Sequence, residues 1–182
     1  MEREEIQSRL KLHKLWLESE GMEGERANFA GADLRDADFE GADFRYANCR
    51  GANFENANCR DANFKGADLK YATFEGADCR GADFQHADCR EANFQDADCW
   101  RANFENADCR KANFQGANID YSCWPLWCGS LDVKVDKRIA RQLLYHAVAV
   151  SQGVLPKKCF SKALLDEVNK FHRVIDGSVP EV

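Results

Sequence analysis

The sequence predicts an all-β solenoid, and three observations carry that prediction. From Ala27 to Ile119 the chain repeats one five-residue unit nineteen times. Grouped by twenties, its apolar residues fall into four ladders. Large and small side chains then alternate from one ladder to the next.

The unit itself excludes the ordinary elements. Its first position is always Ala; its second is Asp nine times, Asn nine times and Thr once, at Thr73. Its third is Phe ten times, Cys six times, Leu twice and Ile once, and two variable, mostly polar residues complete it. A period of five matches neither the 3.6 of a helix nor the 2 of a strand, so neither keeps one face buried over this length. A chain that turns a square corner every five residues does. Ala and the third residue then point inward, and successive twenty-residue coils stack at strand spacing, about 4.7–4.9 Å.

The third positions sort into four faces. The first holds Phe29, Cys49, Leu69, Cys89 and Cys109; the second Leu34, Phe54, Phe74, Phe94 and Phe114. The third holds Phe39, Cys59, Cys79, Cys99 and Ile119; the fourth Phe44, Phe64, Phe84 and Phe104, with Trp124 next in register. A narrow tube has no room for four rings per layer at interior density, so two opposite faces carry Phe and the other two mainly Cys.

These units resemble the A(D/N)LXX repeats of the pentapeptide repeat family. The resemblance covers about half of the chain and implies a right-handed quadrilateral β-helix of about five coils. The layout, a short helix, the repeat, then YSCWPLWCGS and a helical tail, is similar to members from Gram-positive bacteria and their phages. Some members are dimeric acidic rods that imitate B-form DNA and protect type II topoisomerases from quinolones.

The ends read as caps. Residues 1–24 form an N-terminal capping helix with Ile6, Leu10, Trp16 and Leu17 toward the first coil, Leu12 and Leu15 nearby, and Gly21 and Gly24 as its stop. A dimerisation helix is the alternative. Residues 25–124 form the β-helix; Pro125 ends the ladder, and Trp124, Leu126 and Trp127 plug the mouth. Residues 125–182 form a C-terminal helical cap, one helix from about Val135 to Val150 and another after Ser161.

Composition narrows the function. Six of the nine cysteines hold interior positions, where Cys acts as a small hydrophobe, which argues against a disulfide framework even though Cys79 and Cys99 lie one coil apart. No signal peptide or membrane segment is visible, so a cytoplasmic location is expected. Cys123, Cys128, Cys159 and His146 lack the paired spacing of a zinc site, and no cofactor motif appears. The carboxylates follow from the repeat, and His13, His86, His146 and His172 are scattered, so no enzyme is expected.

From Ala27 to Tyr121 there are 18 acidic and 11 basic side chains, interleaved on most faces. The first face stacks Arg50, Lys70, Arg90 and Arg110 beside Asp68, Asp88 and Asp108, which suggests cross-coil charge pairs and a poor imitation of a duplex. The reading is a non-catalytic scaffold, monomer or homodimer, that binds a protein partner, with no direct nucleic-acid or membrane binding. Trp100, Tyr46, Tyr71 and Tyr121 are the candidate contacts, since aromatics are enriched at interfaces. Modulation of DNA gyrase or topoisomerase IV is the alternative, and an undetected activity in the C-terminal segment is a third reading, which needs a pocket of convergent polar groups.

Overall fold

Backbone hydrogen bonding explains why the unit has five residues. In the unit 47–51 the Ala47 N–H donates to the Phe44 carbonyl (3.0 Å), closing the preceding turn. The Asn48 N–H donates to Ala27 one coil before (3.0 Å), and the Cys49 and Gly51 N–H groups donate to Asp68 and Lys70 one coil after (both 2.8 Å). The remaining Arg50 N–H donates to Asn48 Oδ1 at 3.2 Å. All five donors are satisfied, the last by a side chain only Asp, Asn or, less well, Thr supplies.

This pattern recurs along the tube. The structure, a computed structural model, describes residues 1–119, 122 and 133–135. Parallel bridges join residues twenty apart, from Asn28 with Asn48 to Asp98 with Asn118. Every fifth residue from 31 to 116 has a φ between +53° and +74°, the left-handed value that a type II corner requires at its third residue. Gly fills some of these corners, but Tyr46, Tyr71, Glu91, Arg101 and Lys111 adopt the same conformation.

The interior holds two columns of rings. Along the second and fourth faces, from Phe44 and Phe54 to Phe104 and Phe114, rings one coil apart stack at 4.6–5.1 Å and within 2–7° of parallel. The two columns are offset by half a coil, so Phe64 meets Phe54 and Phe74 edge-on at 5.6 and 5.5 Å. Edge-to-face contact is the favourable aromatic geometry, and the rings fill the axis. Only a thiol's width remains on the first and third faces, where Cys49, Cys59, Cys79, Cys89, Cys99 and Cys109 are buried and free of disulfides. In the first coil the sizes change places: Leu34 replaces a ring, and Phe29 and Phe39 meet Phe44 edge-on.

Helix α1, Arg3–Glu18, lies over the first coil. It buries Ile6 and His13 and packs Leu10 on the core, whereas Leu12 and Leu15 are exposed and Trp16 and Leu17 half-buried. The buried stripe therefore differs from the apolar one read in the sequence: at its centre stands His13, because its Nδ1 accepts the Ala27 N–H (3.1 Å) where the first unit has no preceding unit to close a turn with. The return loop donates Glu25 N–H to the Leu12 carbonyl (3.1 Å), so tightly that a Cβ on Gly24 would strike that carbonyl.

At the other end the chain adds a rung beyond Pro125. Lys134 bridges Asn113, accepting from the Phe114 N–H and donating to the Ala112 carbonyl, both at 2.8 Å. Val133 and Val135 flank it, packed on the core, so the ladder runs past residue 124 on the second face. The remaining C-terminal expectations, the Trp124 plug, the thiols Cys123, Cys128 and Cys159 and the two helices, lie outside the described residues.

Candidate functional site

The outer surface is built from the second, fourth and fifth positions of each unit. Where Asp holds the second position and Arg the fourth, both turn-bond and ion pair form within one unit: Asp33 with Arg35 and Asp43 with Arg45 at 2.7 Å, and likewise Asp78 with Arg80, Asp88 with Arg90 and Asp108 with Arg110. Cross-coil pairs are fewer and longer, Arg80 to Asp98 at 3.6 Å and Arg90 to Asp108 at 3.7 Å. The expected cross-coil pairing is thus present but secondary: the side chains two residues apart on one flat strand reach each other first.

These pairs set the protonation of the surface. The Arg35 side chain and its backbone N–H hold Asp33 down to about 2. Hydrogen bonds from Arg80 lower Asp78, and those from Arg110 lower Asp108. Asp88 loses solvation, which by itself would raise its pKa, yet the bonds from Arg90 bring it below the usual value. Such carboxylates are structural acceptors, ill suited to moving protons near neutral pH.

Tyr71 lies at the corner after the first face, 45% exposed, with the Arg50 guanidinium 5.1 Å and the Lys70 ammonium 4.9 Å from its ring. Tyr46, 49% exposed, lies at the corner before that face, its ring laid against the next coil where a Gly66 Cβ would stand. Trp100 is half-buried on the third face, under the Arg101 guanidinium at 4.2 Å. The tyrosines therefore flank one face and Trp100 occupies another, so the candidate contacts do not form one patch; Tyr121 lies outside the described residues.

The interior candidates are all inaccessible. Phe54, Phe64, Phe74, Phe84, Phe94, Phe104 and Phe114 are fully buried, as are Cys59, Cys79, Cys89, Cys99 and Cys109. Burial pushes the Cys79 thiol well up, and the hydrogen bond that the Cys99 thiol donates to Cys79, together with burial, does the same to Cys99. Such thiols are not nucleophiles. Among the described residues no three His, Cys, Asp or Glu side chains are placed to hold a metal. Nor, among them, is any helix long and apolar enough to cross a membrane.

His13 is the residue the apolar periodicity passed over. Its ring is buried and stacks on Trp16 at 5.7 Å, and its Nε2 has no hydrogen-bond partner. Burial lowers its pKa, opposed by the Asp43 carboxylate and the Arg45 backbone and assisted by the charges of Arg26 and Arg45.

A square parallel solenoid with a five-residue unit defines a repeat protein whose working surface is its outside. The pentapeptide repeat model matches residues 25–61, 62–98 and 92–123, more than half of the chain. The chain belongs to the pentapeptide repeat family. No curated protein matches it. Among solved structures it is similar to HetL, a pentapeptide repeat protein involved in heterocyst differentiation regulation in the cyanobacterium Nostoc, at 30% identity over 58% of this chain, with a TM-score of 0.36. The chain spans about half, 51%, of HetL's length. A thylakoid-lumen pentapeptide repeat protein of Arabidopsis thaliana matches at 27% identity over 65% of this chain and 72% of its own (TM-score 0.34). QnrB1, a plasmid-mediated fluoroquinolone resistance protein, matches at 20% over 70% and 75% (TM-score 0.25). Family membership rests on the repeat match; superpositions this loose add no functional argument.

Proposed function

We propose that the chain is a non-catalytic scaffold of the cytoplasm: a right-handed quadrilateral β-helix, closed by an N-terminal helix and a C-terminal helical cap, that binds a protein partner along its sides. The observation that carries this reading is the Tyr71 cluster, a half-exposed ring already held between Arg50 and Lys70. Its conformation is fixed before binding by a backbone whose donors are spent on the ladder, which lowers the entropic cost of association. Tyr46, Trp100 and Tyr121 are further proposed contacts. Affinity capture with the purified chain tests the reading: Tyr71→Ala and Trp100→Ala are each expected to lose the captured partner while keeping the fold. Identical capture by both variants would sink it.

The second reading is a DNA mimic acting on DNA gyrase or topoisomerase IV and giving quinolone protection. It draws on the second face, where Asp33, Asp36, Glu55, Glu75 and Asp96 meet two cations, Arg35 and, on the last rung, Lys134. Against it, that column turns neutral at Gln95 and Gln115, and the first face carries the Arg50-to-Arg110 cations. A supercoiling assay with gyrase, with and without a fluoroquinolone, decides: no effect at low micromolar protein removes the mimic.

A further inference from the structure

The end of the tube holds a second surface, independent of its sides. A first coil has no predecessor, so its second-position N–H groups and its second- and fourth-position carbonyls face outward as an unpaired strand edge. Helix α1 covers this edge unevenly. Arg9 donates to the Asn28 carbonyl, the Met1 amine to the Asp33 carbonyl (3.0 Å), and His13 receives the Ala27 N–H. These contacts take one edge carbonyl on each of the first two faces; the second-position N–H groups of all four faces stay unpaired among the described residues, and the third and fourth faces receive no such contact. On the third face the Asp38 N–H, the Asp38 carbonyl and the Glu40 carbonyl have no partner among the described residues.

Three further observations point to an occupant. Ala37, like Ala32 and Ala42 of the same coil, is half-buried, whereas its ladder neighbours Ala57, Ala77 and Ala97 are 0–1% exposed, so the layer above the first coil is incomplete here as on the adjoining faces. Beside it a cleft of about 430 Å³ opens between Met1, Arg3, Ile6 and Gln7 of the helix end and Leu34 and Phe39 of the coil. Outside it, Asn58 Nδ2 lies between the Asp38 and Glu40 carboxylates at 2.9 and 3.3 Å, Asp38 also accepts the Glu40 N–H (3.2 Å), and neither carboxylate has a cation in ion-pair contact among the described residues.

We propose that the edge at residues 37–40 binds an extended segment of a partner protein, parallel to it and carrying a basic–apolar–basic triplet. The two residues flanking the position opposite Asp38 accept its N–H and donate to its carbonyl, as strand addition requires. The apolar residue turns inward toward the cleft, and the two basic residues stack outward over Asp38 and Glu40. The molecule already accepts such a rung at its other end, where the non-repeat residues Val133, Lys134 and Val135 extend the ladder over Asn113. A second copy of this chain fits poorly, because two-fold pairing would set Asp36, Asp38 and Glu40 against the same carboxylates.

The test titrates an acetylated decapeptide, GAKVKGAKVK, into the isotope-labelled full chain, with GAEVEGAEVE as control, both read by amide chemical shifts. The expected result is perturbation confined to residues 33–40 and the first turn of α1, slowed exchange of the Asp38 amide, and binding at least about tenfold tighter for the lysine peptide. Asp38→Pro, which removes the N–H, is expected to abolish it. Should that variant not fold, the exposed Glu40→Lys is expected to weaken it by about tenfold at low salt. Equal binding of the two peptides, shifts along the sides or at residues 133–135, or no shift at millimolar peptide would overturn the proposal. So would concentration-dependent dimerisation that perturbs the same amides without peptide, which would assign the edge to a second copy. None of these outcomes bears on the Tyr71 reading, whose variants leave this edge intact.

Discussion

The first coil and the coils within the tube are spelled alike and behave differently. Glu40 N–H bonds Asp38 Oδ1 at 3.2 Å, and Arg80 N–H bonds Asp78 Oδ1 at 3.3 Å, so the corner chemistry is the same in both. Yet Ala37 is half-buried and Ala77 fully buried, and the Asp38 N–H lacks the carbonyl that Asp78 finds at Ala57. Turns are therefore made locally, while burial and the ladder are supplied by neighbours. Stability in such an array is a sum of unit and interface contributions, and an end unit has half the interfaces.

The sharpest way to break this comparison is to delete a ring at each place. Phe84 stacks between Phe64 and Phe104 and meets Phe74 and Phe94 edge-on. Phe84→Ala is expected to cost about 3–5 kcal/mol in urea unfolding followed by circular dichroism. Phe29 meets one ring, Phe44, and the Arg9 guanidinium, so Phe29→Ala is expected at the lower end of that range. Equal losses would mean that the end coil is as integrated as the middle.

Next comes overfilling. Ala77 has coils on both sides, and Ala77→Val is expected to cost about 1–3 kcal/mol by forcing the rungs apart. Ala37→Val, with an open layer above it, is expected to cost under about 0.5 kcal/mol. A comparable penalty at both would argue that α1 already fills the space over residue 37.

How much of this was legible depended on what each residue must do. The interior was readable to the residue, because inward positions are constrained by size alone and the alternation of Phe with Cys is visible in the sequence. The corners were half readable: restriction of the second position to Asp, Asn and Thr is the signature of a side chain bonding its own backbone two residues on, and it also explains why Glu and Gln never appear there. The left-handed fifth position announced itself in Gly31, Gly41, Gly51, Gly66, Gly76, Gly81 and Gly116, but Arg101 and Lys111 masked the rule. His13 was hidden because periodicity counts apolar residues, and its role is that of a missing carbonyl. Val133–Val135 was hidden behind Pro125. The scatter of Tyr46, Tyr71 and Trp100 over different faces follows from their numbers taken modulo twenty, whereas what they touch depends on rotamers no pattern encodes.

A proton sharpens the comparison further. Burial lowers the His13 pKa, so the unfolded chain binds more protons than the folded one below the ordinary value of 6.5. The contribution is fully present above that pH and is lost progressively as pH falls from 6.5 through the lowered folded value. The inner coils titrate in a separate window: Asp78, Asp88 and Asp108 all sit below 3.8, and what their pairing contributes is lost only as pH falls through those values. Acidification is therefore expected to loosen α1 first, by about 1 kcal/mol, seen as a change in Trp16 fluorescence while the coil's circular dichroism stays constant. His13→Gln is expected to abolish the fluorescence step below pH 6.5. Coincident loss of both signals would show that cap and tube melt as one unit.

The smallest effect is a repair inside the tube. Across the second positions, Asp and Asn oxygens accept the N–H two residues on at 2.9–3.3 Å, as at Asn53 and Arg80's partner Asp78, but the Thr73 hydroxyl is 3.4 Å from the Glu75 N–H. A hydroxyl branches one atom too early to centre over that donor. An amide at this site would reach it, and its Nδ2 would face Asn53 as Asn113 Nδ2 faces Asn93 Oδ1, at 3.0 Å. Thr73→Asn is expected to stabilise the chain by about 0.5 kcal/mol, near the lower limit for one added hydrogen bond. Thr is the better strand former, which works against the gain, so the reciprocal Asn93→Thr separates the two contributions. If the turn bond dominates, Asn93→Thr costs more than Thr73→Asn gains, since it also removes one of the two acceptors of Asn113 Nδ2 and releases the Glu75 carboxylate that Asn93 Nδ2 holds at 3.0 Å. If strand propensity dominates, both signs reverse.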